Sequence, residues 1–118
     1  MPAARDDYLL RLIQEAAAAL RRFRSRLGGG EAPDEVSRDA GVAIGTLLGP
    51  QRALLERLDG WSAANLLSDP ERVQLWSELL LLQSDAERVS GRITNADALG
   101  ARSAELAKYG KPLAIASQ

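Results

Sequence analysis

An all-α fold follows from three features of the sequence. Ala and Leu, 20 of each among 118 residues, supply about a third of the chain and favour helix. Only ten residues are β-branched and five aromatic, which leaves little material for strands. Apolar residues recur at helical spacing between Gly and Pro stops. The expected architecture is about five antiparallel helices in one domain spanning residues 1–118, closed by a C-terminal αα-hairpin.

The first helix is expected over residues 6–27. Leu9, Leu12, Ile13, Ala16, Leu20, Phe23 and Leu27 fall within a stripe about 100° wide, with Arg11, Glu15, Arg22 and Arg26 opposite. Asp6 or Asp7 is placed to cap it, and Gly28-Gly29-Gly30 to end it and begin a linker over 28–33. Residues 34–67 read as short helices. The first, over 34–48, has Val36, Ala40, Ala43, Ile44 and Leu47 on one side, while Gly41 and Gly45 weaken it and allow a neighbouring helix to come close. Pro50 opens a third helix with Leu54, Leu55 and Leu58 as its apolar side, and the turns that follow direct Trp61, Leu66 and Leu67 inward.

The hairpin is expected over 69–109. Asp69 as N-cap, Pro70 at the first position and Glu71 in the first turn make a strong helix start. Val73, Leu75, Trp76, Leu79, Leu80, Leu82, Ala86 and Val89 cover an arc near 200°, so this helix packs on two sides and is central. Gln74, Ser77, Ser84, Asp85 and Arg88 form its polar face. Leu81 lies on that face and is out of place there. Gly91 closes the helix, and Thr94-Asn95-Ala96-Asp97 resembles a capping box opening the next. Ala96, Gly100, Ser103 and Ala107 then let the last helix lie close, and residues 110–118 form a loose tail.

Composition narrows the chemistry. His and Cys are both absent, which excludes a His general base, a Cys nucleophile, zinc sites with His or Cys ligands, disulfides and iron–sulfur clusters. The acidic pairs Asp6/Asp7, Asp34/Glu35 and Asp85/Glu87 read as helix starts or solvated faces, and no EF-hand loop is present. The expectation is a non-enzymatic chain with no cofactor and no metal; no residue points to a small-molecule ligand, and a pocket near Trp61 or Trp76 is the place left open for one. No apolar run approaches the roughly 18 residues of a membrane span. With no secretory signal and no Cys, the expected location is the cytoplasm, and 13 Arg against two Lys with abundant Ala suggests a GC-rich bacterial source.

The net charge of −1 hides basic ends around an acidic middle: +3 over residues 1–30, −3 over 31–60, −3 over 61–90 and +2 over 91–118. Arg21, Arg22, Arg24 and Arg26 are the candidate nucleic-acid contacts, but Phe23 belongs to the buried stripe and Arg is favoured at a helix C-terminus. That run is therefore read as a solvated helix end, with phosphate binding as the alternative. Leu81 and Leu10 are the candidate contacts for a protein partner or a second copy.

The hairpin, a long helix followed by a Gly-containing turn and a helix with Ala at its packing positions, looks like a tetratricopeptide-type unit. Together with Asp7-Tyr8-Leu9-Leu10-Arg11-Leu12-Ile13-Gln14, Leu47-Leu48-Gly49 and the hairpin over 71–106, the whole chain resembles a family of small, uncharacterised bacterial helical proteins of tetratricopeptide-like character. The resemblance implies a fold and no catalytic residues. The function expected from all this is a non-catalytic protein-interaction or assembly module, the alternative being a nucleic-acid-binding accessory protein.

Overall fold

The computed structural model describes residues 7–112, and within them the protein is all-α. The helices are α1 (Asp7–Gly28), α2 (Pro33–Leu48), α3 (Arg52–Arg57), α4 (Gly60–Leu67), α5 (Pro70–Val89) and α6 (Ile93–Ala107), with one 3-10 turn (Gly49–Gln51) leading into α3. Asp6, the alternative cap, and residues 113–118 of the expected tail lie outside the described residues.

Two antiparallel hairpins, α1–α2 and α5–α6, turn by the same device. Gly30 and Gly91 adopt φ of +83° and +86°, the left-handed conformation that ends a helix without steric cost. In the first turn Glu31 N donates to Arg26 O and Gly30 N to Leu27 O; in the second Arg92 N donates to Glu87 O and Gly91 N to Arg88 O. These paired bonds satisfy the last carbonyls of α1 and α5. The linker is shorter than expected because Gly28 is still helical, and α2, at sixteen residues, is a full-length helix.

Helix α5 is enclosed more completely than its apolar arc predicts. Val73, Leu75, Trp76, Leu79, Leu80, Leu82 and Ala86 are buried as expected, and they belong to or adjoin one core that also holds Ile13, Leu20 and Phe23 of α1, Val36, Ile44 and Leu47 of α2, and Leu106 of α6. Val89, by contrast, is exposed at the hairpin tip. Ser77 and Ser84, expected on a polar outer face, are buried against α6. The Ser77 hydroxyl lies 2.9 Å from Ser103 O, that of Ser103 lies 2.7 Å from Ser77 O, and Ser84 donates to Ala96 O at 2.7 Å. Small hydroxylated residues thus let α5 and α6 approach while keeping their polar atoms paired.

The α6 contact row ends differently from the expected one. Ala96, Ser103 and Leu106 are buried, whereas Ala107 is exposed because the helix stops there and the chain turns back toward α5. Gly110 sits against Gln74, where an added Cβ would lie 2.9 Å from the Gln74 Cα, and Lys111 N donates to Pro70 O. Residues 110 and 111 are therefore tied down. Thr94 is not a cap, since α6 already begins at Ile93; its neighbour Asn95 instead donates to Glu87 and Asp97 pairs with Arg88.

The short helices differ most from expectation. Only Leu55 of the α3 triplet is fully buried, Leu58 is partly so, and Leu54 is exposed. Asp59 accepts from Ser62 N at 2.7 Å and caps α4, which turns the expected loose turns into a helix of eight residues. That helix buries Ala63 and Leu67 while Trp61 and Leu66 face outward. Nor do Gly41 and Gly45 receive a helix backbone: Arg52 lies over Gly45 and donates to Gly41 O at 3.1 Å, and the Gln83 side chain lies against Gly41.

Glu87 joins three of these elements. Its carboxylate is nearly buried and accepts from Ser37 Oγ on α2 at 2.9 Å, from Arg92 Nε and Nη2 at 2.6 and 2.9 Å, and from Asn95 Nδ2 on α6 at 2.7 Å. Hydrogen bonding by Arg92 above all, against the opposing effect of burial, holds the carboxyl at about 2, well below its ordinary 4.5. A carboxyl whose folded-state value is depressed contributes fully above its unfolded value and loses that contribution as pH falls toward the folded one. Urea denaturation is therefore expected to show Glu87→Gln destabilised by about 2 kcal/mol at pH 7. The variant should also lose less stability than wild type between about pH 5 and pH 2; parallel pH profiles for the two proteins would contradict the account.

Candidate functional site

The open face of the α1–α2 hairpin carries a groove of about 440 Å³. Its shape follows from side-chain size. Leu12, Ala16 and Ala19 of α1 and Ala43 and Leu47 of α2 form its floor, and with methyl groups at three of these five positions the two helices leave a channel between them. Val42 stands beside it with 64% of its surface exposed, a β-branched apolar residue turned away from the core. The rim is charged: Glu15, Arg22 and Arg26 from α1 and Asp39 from α2. Arg26 bonds Asp39 Oδ2 at 2.8 Å and Glu31 Oε2 at 2.6 Å, which staples the end of α1 to the linker and α2; these bonds raise its already high pKa further, Asp39 contributing most.

The four candidate arginines are thereby separated in role. Arg24 bonds Glu78 of α5 at 2.8 Å, and Arg26 is held as described. The guanidinium carbons of Arg22 and Arg26 lie 5.9 and 5.7 Å from the centre of the Phe23 ring, within cation–π range. Arg21 is exposed, without a hydrogen bond, ion pair or ring contact among the described residues. Two of the four positive charges are thus already matched by carboxylates of the same chain.

Leu81 and Leu10 are both on the surface, 47% and 38% exposed. They do not form one patch. The Arg24–Glu78 bond sets Leu81, one turn beyond Glu78, beside the C-terminal half of α1, whereas Leu10 lies near the start of α1, about 20 Å away along its axis. Neither lines the α1–α2 groove. Val42 and Glu15, which do, were not singled out from the sequence; the available clue was that Val42 lies off the Val36–Ala40–Ile44–Leu47 stripe just as Leu81 lies off its own.

Smaller depressions adjoin the two tryptophans. One of about 340 Å³ is bordered by Trp61, Pro70, Val73 and Tyr109, and one of about 240 Å³ by Trp76, Leu80, Leu99 and Arg102. Trp76 itself is buried beneath the Arg102 guanidinium, 5.3 Å from the ring centre. Arg102 also donates to Leu55 O near the end of α3, and its neighbour Glu105 accepts from Gly60 N at the start of α4 at 2.6 Å. The Gly60 amide first and Arg102 second lower the Glu105 pKa. Positive charge at one helix end and negative charge at the next is the arrangement that helix dipoles favour.

No family model, curated protein or solved structure matches the chain. Among the described residues no group of three or more Asp or Glu side chains is placed to hold a metal ion, and no helix is long and apolar enough to cross a membrane.

The contrasting tryptophans give a direct check on this surface. Trp61 is 62% exposed and Trp76 only 1%. Acrylamide quenching of Trp61→Phe is expected to show a blue-shifted, weakly quenched emission from Trp76, and Trp76→Phe a red-shifted, readily quenched emission from Trp61. Equal quenching in the two variants would contradict the placement.

Proposed function

We propose that this chain is a non-catalytic helical module for protein interaction or assembly, and that it docks partners along the α1–α2 groove. The observation that carries this reading is the channel itself: an apolar floor, an exposed Val42 and a charged rim on two full-length helices. Such a channel has the form used to receive an amphipathic helix, whose apolar anchors enter the groove while its polar face stays in water. The close α5–α6 pairing supports reading the hairpin as tetratricopeptide-like, with its partner face supplied by the other hairpin. A bacterial cytoplasmic setting is proposed on composition alone.

The alternative, a nucleic-acid accessory protein, relies on Arg21, Arg22, Arg24 and Arg26. Phosphate contact by Arg24 and Arg26 competes with Glu78, Glu31 and Asp39, which weighs against it. No retention on DNA or RNA at low salt is expected; retention that falls steeply with added salt would favour this alternative.

A photo-crosslinking residue in place of Val42 tests the docking reading in the native cell. It is expected to capture a protein, this chain or another, whereas the same residue in place of the exposed Arg57 captures little. Equal capture at the two positions, or none at Val42, would contradict docking along the groove.

A further inference from the structure

Two charged side chains on the groove have no ion-pair partner among the described residues. Glu15 and Arg22 both line it, and among those residues the Arg22 guanidinium meets only the Phe23 ring. The other two rim charges, Arg26 and Asp39, satisfy each other. Glu15 and Arg22 are seven residues apart on α1, hence on nearly the same face and about 10.5 Å apart along the axis, too far to pair within one helix. Between them the groove side of α1 presents only Ala16 and Ala19.

Opposite charges two turns apart on one face are complementary to the same face run in the opposite direction. We propose that the occupant of the groove is α1 of a second copy of this chain, the two α1 helices crossing antiparallel about a dyad midway between Ala18 and Ala19. The proposal rests on the docking reading above and names its partner. About that dyad Glu15 of each copy meets Arg22 of the other, so one closed interface makes two ion pairs. The alanines between them let the helix axes approach closely, and Val42 flanks the incoming helix. Arg11, one turn before Glu15, then faces Arg26 of the other copy, where the Glu31 and Asp39 carboxylates leave the cluster net negative. A parallel pairing would set Glu15 on Glu15 and Arg22 on Arg22, which like-charge repulsion disfavours.

Sedimentation velocity on a concentration series, at low and high salt, tests this on the full chain. Wild type is expected to dimerise reversibly, and more weakly as salt rises. Glu15→Arg and Arg22→Glu each replace both attractive pairs by repulsive ones and are expected to raise the dimer Kd roughly tenfold or more. Both residues lie on the groove rim without an ion-pair partner among the described residues, so helical circular dichroism, and melting at concentrations where wild type is monomeric, should match wild type. The double variant Glu15→Arg/Arg22→Glu is expected to recover dimerisation, and an equal mixture of the two single variants to form a heterodimer. A monomeric wild type overturns the proposal, as does a double variant or a mixture that stays monomeric. If wild type is monomeric while a crosslinker at Val42 captures a different protein, self-docking falls and the groove remains a docking face; if Val42 captures nothing and wild type is monomeric, both fall.

Discussion

The enclosure of α5 is the constraint on which the rest of this fold depends. A helix packed against α1, α2, α4 and α6 keeps one narrow solvent-facing line, through Glu71, Gln74, Glu78, Leu81, Asp85 and Arg88. Buried polar side-chain atoms on its other sides therefore depend on partners in its neighbours, and among the described residues only Arg72 Nε lacks one. Ser77 and Ser84 do so on α6, and Glu87 does so on α2, α6 and the turn between α5 and α6. An unpaired buried group costs about 1–3 kcal/mol, comparable to the gain from burying one Leu. These bonds therefore select one register of each neighbour against the many that apolar packing alone would tolerate.

Other features follow from that arrangement. Because α2 must present Ser37 to Glu87 and its last turn to Arg72, it runs antiparallel to α5, with Arg72 Nη2 donating to Leu47 O at 2.6 Å. Helix α1 covers the remaining side, with Arg24 on Glu78. The outer side of the α1–α2 pair is then left with small residues on its floor, which is how a closed core on one side and an open groove on the other arise from the same two helices. Helices α3 and α4 bury few side chains; the α6 pair Arg102 and Glu105 holds the end of one and the start of the other.

Much of this architecture was legible in the sequence because it follows from local rules. The α1 stripe from Leu12 to Phe23, the Asp69–Pro70 start of α5 and the Gly91 stop depend on periodicity, capping and backbone conformation, each readable within a few residues. The failures share a different cause. Ser77 and Ser84 looked like surface residues because their partners lie 26 and 12 residues away, and polarity alone does not reveal a partner. Trp61 looked like core because aromatic residues usually are, but Asp59 starts α4 at a phase that turns Trp61 outward. Thr94 fitted a capping pattern, yet the Gly91 turn had already begun the helix two residues earlier, with Arg92 in the cap position. The groove was not legible because it is made by two helices together: Glu15, Arg22 and Val42 belong to one surface only once α1 and α2 are paired.

Native-state hydrogen exchange tests the central claim most directly. If α5 is the enclosed element that positions the others, amides of residues 75–82 exchange only through global unfolding, with a denaturant dependence equal to that of the whole protein. Amides of α3 and α4 then exchange through local openings of lower free energy and little denaturant dependence. Exchange from residues 75–82 as fast as that from α3 and α4 would contradict the account.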